Sequence, residues 1–117
     1  MTNGISSRES ANRAATTSRM TSGGVVAIMR HTEASLAVDA AEALIAGGIG
    51  VVEVTLNTSG ALEMIAALAK SVGDRMLIGA GTVLSAGAVD QAVQAGARFI
   101  VAPNTSTSVI ERAAHHD

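Results

Sequence analysis

Short apolar runs alternate with longer amphipathic stretches from residue 23 to the end of the chain. Four β-branched or aliphatic runs predict strands over residues 25–29, 51–55, 76–78 and 99–101. After the first strand, Leu36, Ala40, Ala43 and Leu44 recur at helical spacing. This spacing predicts a helix that Thr32 caps and that ends at Gly47-Gly48.

The same alternation repeats three more times. Thr58 or Ser59 is expected to cap a second helix that stops near Val72, and Ser85 a third helix over residues 86–95. A fourth helix is expected to begin near Thr105 or Ser106. Four β-α units in series favour parallel strands with right-handed crossovers. An open doubly wound sheet and the first four units of a (β/α)8 barrel both satisfy this pattern, and a complete barrel typically needs about 250 residues.

Residues 1–22 differ from the rest, because they are rich in Ser, Thr, Asn and Arg and poor in apolar side chains. We predict a disordered N-terminal tail there and a folded unit over residues 23–117.

Composition narrows the class of protein. The 117 residues are 48% hydrophobic, with one Phe, no Trp, no Tyr and no Cys, and the net charge is −2. Without a basic run or aromatic platforms, nucleic acid is not an expected partner. No apolar run approaches the ~20 residues of a membrane span. The absence of cysteine excludes disulfides and thiolate ligands, and a cytoplasmic protein is the simplest expectation.

Polar groups and glycines collect where the predicted strands end. These positions are Arg30, Glu53 with Thr55 and Asn57, Gly81 with Thr82, and Pro103 with Asn104. Ligands of parallel α/β folds bind at the carboxyl ends of the strands. We therefore expect a candidate site at this rim.

Glu53 is the sharpest candidate, because a carboxylate inside an apolar strand should have a raised pKa that suits proton transfer near neutral pH. Arg30 suits a carboxylate or phosphate group. The alternative is a structural ion pair between these two residues. Likewise, residues 79–82 either admit a small anion close to the backbone or simply form a tight strand end.

Other polar residues give weaker signals. His31 reads as a loop residue, and the adjacent His115 and His116 do not face the same way on a helix, so no metal site is assigned. Lys70, the only lysine, lies at the far end of the second helix and reads as a surface charge.

Five segments in order resemble one known family. They read GVVAIMR at 24–30, AEALIAGG at 41–48, VEVTL at 52–56, IGAGTVL at 78–84 and FIVAPN at 99–104. They are similar to the first half of the 2-keto-3-deoxy-6-phosphogluconate / 4-hydroxy-2-oxoglutarate aldolases. Asn57, where the gluconate branch usually has Arg, and Pro103-Asn104 are closer to the 2-keto-3-deoxy-6-phosphogalactonate branch.

The resemblance implies a class I aldolase on a (β/α)8 barrel, usually a homotrimer, that needs no metal or cofactor. Such enzymes cleave a phosphorylated 2-keto-3-deoxy sugar acid to pyruvate and glyceraldehyde 3-phosphate through a lysine Schiff base. By this resemblance Glu53 transfers protons. The substrate-binding residues are then Arg30, Asn57, Gly81, Thr82 and Pro103.

One departure from the family bears on activity. The family's Schiff-base lysine lies on the sixth strand, and Lys70 matches no such position. We therefore expect an N-terminal fragment of an aldolase that has lost covalent catalysis. The alternative is a non-catalytic half-barrel that acts by association with itself or with a second half. A thiamine-phosphate-synthase-like barrel is a third option, which Glu53 within VEVTL disfavours.

Overall fold

Three parallel strands with helices packed on one face form the centre of the protein. The computed structural model describes residues 3–116, and side chains from residue 11. In chain order the elements are α1 (Asn3–Gly23), β1 (Ala27–Met29), a 3-10 turn (Ala34–Leu36), α2 (Ala37–Ala46), β2 (Val51–Thr55), α3 (Ala61–Val72), β3 (Leu77–Gly81), α4 (Ala86–Ala95) and α5 (Thr107–His116). The sheet order is β1-β2-β3. The predicted α/β fold with parallel strands is confirmed.

The register assigns each strand residue to one of two faces. Val51, Glu53 and Thr55 of β2 lie opposite Leu77, Gly79 and Gly81 of β3, whereas Val52 and Val54 lie opposite Ile78 and Ala80. Successive side chains of a strand point to opposite faces. We call the Glu53 side the inner face and the Val52 side the outer face.

The outer face carries the hydrophobic core. Its strand residues pack with buried apolar side chains of the helices, among them Ala41, Met64, Ile65, Leu68, Val89 and Val109. These side chains are small or aliphatic, so the helices approach the sheet closely without aromatic residues. The core therefore packs against the outer face of the strands whose ends carry the predicted site.

The fourth predicted strand is shorter than expected. Ile100 forms a single parallel bridge to Ala80. Around it, the Ala80 N–H donates to Phe99 C=O (3.0 Å) and the Val101 N–H donates to Ala80 C=O (2.8 Å). The segment thus runs beside β3 as predicted, but Pro103, which has no N–H and a fixed φ, follows before a longer ladder forms.

Two helix caps differ from the prediction. Neither Thr32 nor Thr58 or Ser59 caps a helix: the 3-10 turn follows Glu33, and α3 follows Gly60 in a left-handed conformation (φ 73°). The Thr58 hydroxyl instead accepts a hydrogen bond from the His31 N–H, in the loop that follows β1. For α4 the prediction is confirmed, since Ser85 accepts from the Ala88 N–H (3.1 Å) and Gly96 ends the helix at φ 116°.

The disordered tail predicted for residues 1–22 is wrong over residues 3–22, and residues 1 and 2 lie outside the described part. α1 contacts β2 and β3. Ala and Arg favour helix, and no proline interrupts the segment. The Ser22 hydroxyl also bonds back to the Arg19 C=O (3.4 Å), as hydroxyls do on helices. Within residues 3–116, no helix has the length and apolar character that a membrane span requires.

Candidate active site at the strand ends

Glu53 lies in the middle of the inner face and is 6% exposed. Burial raises the pKa of its carboxyl, and the nearby positive charge of Arg30 partly opposes that rise. A buried acid with a raised pKa holds or releases a proton closer to neutral pH than an exposed one does. The predicted position and electrostatics of Glu53 thus both appear in the structure.

Gly81 makes room for this carboxylate. A Cβ at Gly81 would lie 2.8 Å from Glu53 Cδ and 3.4 Å from Thr55 Cγ2, and closer still to Glu53 Oε1. Real Cβ atoms do not approach other atoms to 2.8 Å. The glycine predicted as a substrate-binding residue therefore has a definite structural effect, which is to let the Glu53 side chain lie flat across β3.

Gly79 makes room in the same way for Phe99. The Phe99 ring occupies the position where a Gly79 Cβ would be. Two glycines on one face of β3 therefore admit the Glu53 and Phe99 side chains beside it. From the sequence, this pair was expected to form an anion-binding turn or a strand end. Their packing role depends on side chains of other segments, Phe99 and Glu53, which spacing along the chain does not reveal.

Thr82 follows Gly81 in a left-handed conformation (φ 54°), which is an outlier for a β-branched residue. Backbone strain of this kind often accompanies functional sites. On the next loop, the Val83 N–H donates to Val101 C=O (3.2 Å), and Val101 lies two residues before Pro103. The loops that carry Thr82 and Pro103 are therefore neighbours at the rim.

The remaining predicted residues lie at the same rim and are exposed. These are Arg30 after β1 and Asn57 after β2. The Leu56 N–H donates to Gly81 C=O (2.8 Å), which ties the segment that carries Asn57 to the end of β3. The structure thus brings all six predicted residues to one end of the sheet. Of these residues, Gly81 lies against the Glu53 side chain, and the charge of Arg30 lowers the pKa of Glu53.

A hydroxyl pair that the sequence analysis did not assign links the first two strands. Thr55 Oγ1 and Thr58 Oγ1 are 2.9 Å apart, and Thr58 Oγ1 accepts from the His31 N–H at 2.9 Å. His31 has φ 56°. The long-range contact was not visible from spacing, because it joins residues 27 positions apart.

The basic residues at the other end of the molecule lie apart from this rim. Lys70 is in the last turn of α3 and is exposed. The His116 Nε2 lies 2.6 Å from Asp90 Oδ1, which joins α5 to α4. Among the described side chains, no group of three or more His, Asp or Glu residues lies together as a metal site would require.

A protein-family profile described as "Aldolase: KDPG and KHG aldolase" matches residues 16–117. The chain is a member of this aldolase family. The match begins within α1, so the segment predicted as a tail partly belongs to the family's domain.

Individual aldolases agree with the assignment. The chain is 43% identical to the 2-dehydro-3-deoxy-phosphogluconate aldolase of Pseudoalteromonas atlantica over 89 residues, which cover 76% of this chain and 41% of that protein. A solved structure described as "Native KDPGal structure" aligns with a TM-score of 0.75 and 37% identity over 78% of this chain and 44% of that one.

A second solved aldolase is from Legionella pneumophila, with pyruvate captured as a covalent carbinolamine intermediate. It aligns with a TM-score of 0.70 and 39% identity over 74% of this chain and 42% of that one. The chain thus spans less than half the length of each aldolase it is compared with here. The strands described above correspond to part of the barrel of these aldolases.

Proposed function

We propose that this chain carries the acid-base half of a KDPG-type aldolase site, in an enzyme that cleaves 2-dehydro-3-deoxy-6-phosphogluconate or its galactonate epimer to pyruvate and glyceraldehyde 3-phosphate. The observation that carries the proposal is the buried Glu53 carboxyl, which lies over Gly81 and beside the charge of Arg30. The names of the related aldolases support the reaction class.

Each residue has a role in the proposal. Glu53 moves a proton to or from the reacting carbon or oxygen, for which its raised pKa is suited. Arg30 binds an anionic group of the substrate through its planar fork. Thr82 holds the pyruvate carboxylate, while Gly81, Asn57 and Pro103 shape the pocket around it. Asn57 favours the galactonate branch, which stays a prediction.

Lys70 takes no part in imine formation, because this residue lies in the last turn of α3 and away from the strand ends. Borohydride reduction in the presence of pyruvate, followed by intact mass, tests this directly. We expect an unchanged mass for a sample whose circular dichroism shows it to be folded. A pyruvate adduct on Lys70 would contradict the assignment of roles.

A chimera tests the proposal itself. Residues 16–117 would replace the matching segment of the Pseudoalteromonas atlantica aldolase, and pyruvate release would be followed with a coupled dehydrogenase. We expect aldol cleavage that falls about 10²–10⁴-fold on Glu53→Gln. Glu63→Gln, which changes an exposed acid of α3, is the matched control and should keep the activity. Equal activity of the two variants would refute the role of Glu53.

Association is a second candidate function. Ile28, opposite Glu53 on β1, is 57% exposed, and Leu84 near the rim is 65% exposed. Large exposed apolar side chains often mark interaction sites. Sedimentation equilibrium of the chain tests this candidate, and we expect a homo-oligomer that Ile28→Asp weakens. A monomer at all concentrations would refute it.

A further inference from the structure

Both peptide groups that flank Arg30 are held by threonine hydroxyls. The Thr55 hydroxyl donates to Met29 C=O, the group before Arg30, over 3.4 Å. The His31 N–H, the group after Arg30, donates to Thr58 Oγ1 over 2.9 Å. The two threonine oxygens are themselves 2.9 Å apart.

Only one direction of hydrogen bonding satisfies the whole group. An amide N–H can only donate and a carbonyl can only accept. Thr58 therefore accepts from His31 and donates to Thr55, and Thr55 donates to Met29. Three bonds in series thus run from the peptide after Arg30 to the peptide before it.

The backbone ladder also holds the peptide group before Arg30, because that group belongs to the last bridge of the ladder, whereas the peptide group after Arg30 lies outside it. The β1–β2 ladder ends at Met29 opposite Val54, so Arg30 lies one residue beyond it. Thr55 is fully buried and Thr58 is 5% exposed, which shields their bonds from water. The hydroxyls therefore continue the connection between the strands where the backbone ladder has stopped.

The next residue shows that this connection imposes a conformation. His31 adopts φ 56°, a left-handed conformation that is uncommon outside glycine, although His, Asn and Asp adopt it more often than other residues do. Such a conformation persists only where the surroundings hold it. The hydrogen bond from the His31 N–H to the buried Thr58 hydroxyl supports this conformation.

We propose that Thr55 and Thr58 are positioning residues for Arg30, which fix its backbone so that its guanidinium lies beside the Glu53 carboxylate and faces an anionic group of the substrate. The identity of that anion rests on the proposed function, whereas the link between the threonines, Arg30 and Glu53 does not. Neither threonine touches the reacting atoms in this proposal.

The pKa of Glu53 reports the position of Arg30, because the charge acting on this carboxyl is that of Arg30 and it lowers the pKa. We would measure it by ¹³C NMR titration of the Glu53 carboxyl in the wild type and in Thr58→Val, Thr58→Ser, Arg30→Gln and the double variant Thr58→Val/Arg30→Gln. Ser85→Ala is the matched control, since it also removes a hydroxyl that accepts from a backbone N–H, but at α4.

The expected results form a cycle. Thr58→Val should raise the pKa of Glu53 toward the value in Arg30→Gln, whereas Thr58→Ser and Ser85→Ala should leave it unchanged. In the Arg30→Gln background, Thr58→Val should have no further effect. A folded Thr58→Val chain with the wild-type pKa, or an equal rise without Arg30, would overturn the proposal.

Hydrogen exchange gives a second measurement that does not depend on Thr58→Val folding. In the wild type the His31 amide should be protected, and Thr55→Val, which breaks the series at its other end, should speed its exchange by about tenfold. Rapid exchange of this amide in the wild type would overturn the proposal. Neither measurement uses substrate, so an inactive chimera would refute the aldolase role and leave this result standing.

Discussion

Gly81→Ala tests whether the inner face is built around the Glu53 side chain. The new Cβ would lie 2.8 Å from Glu53 Cδ, whereas carbon atoms in contact are separated by about 3.5–4.0 Å. Glu53 must therefore move by about 0.7–1.2 Å, the difference between these distances. The 3.4 Å approach to Thr55 Cγ2 needs a much smaller adjustment.

The glutamate should move rather than the strand, because the obstructing atoms are at the end of a flexible side chain. We expect the free energy of unfolding in urea to change by less than about 1 kcal/mol, since alanine also reduces the entropy of the unfolded chain. A displaced carboxyl is better hydrated, so the pKa of Glu53 should fall toward its ordinary value. In the chimera, a shift of about 1 Å should cost about 10²-fold in activity.

Gly87→Ala is the control, because a Cβ at Gly87 meets nothing within 4 Å. It should leave the pKa of Glu53 unchanged and stabilise α4 by about 0.5–1 kcal/mol. An unchanged pKa of Glu53 in Gly81→Ala would refute this account of the inner face. A decrease of several kcal/mol in the free energy of unfolding would instead mean that the β3 backbone moves and not the Glu53 side chain.

Three further predictions concern neighbouring features. Gly79→Ala should destabilise the chain by about 1–3 kcal/mol in urea, because its Cβ overlaps the Phe99 ring, and the loss should shrink in a Phe99→Leu background. Ser85→Ala should cost about 1 kcal/mol in thermal unfolding through the lost cap of α4; no change would contradict the cap. Burial raises the pKa of Glu53, so the folded chain binds this proton more tightly than the unfolded chain does. Protonation of Glu53 therefore contributes its full free energy of stabilisation below the ordinary carboxyl pKa of about 4.3, and this contribution is lost as pH rises through the raised pKa. Glu53→Gln should thus be more stable than the wild type near neutral pH, with a difference that closes in acid, and a gap independent of pH would contradict this sign.

Local signals in the sequence predicted the parts of the fold that depend on neighbouring residues. β2 and α4 have the predicted bounds. For α4 the reason is visible, since both of its ends are set by residues within one turn, Ser85 and Gly96. The rim of polar residues followed from the parallel topology alone, which requires strand ends to meet at one edge.

The incorrect predictions concern residues whose partners are distant in sequence. Thr58 is suited to capping α3, but its hydroxyl bonds to His31 of another loop. α1 has no apolar face that periodicity would detect, and it lies against β2 and β3 as a helix. The roles of Gly79 and Gly81 depend on which side chains lie across β3, and spacing along the chain does not contain that information.

The contact between Gly81 and Glu53 also limits how this site can change by mutation. A larger residue at position 81 displaces the acid, and a shorter acid at position 53 leaves a gap above the glycine. Each single change therefore disturbs the contact between the acid and the glycine, so the two positions constrain each other. We expect the effects of substitutions at these two positions to be coupled. A library of single substitutions at either position should contain few functional members, and a library that varies both positions together should contain more.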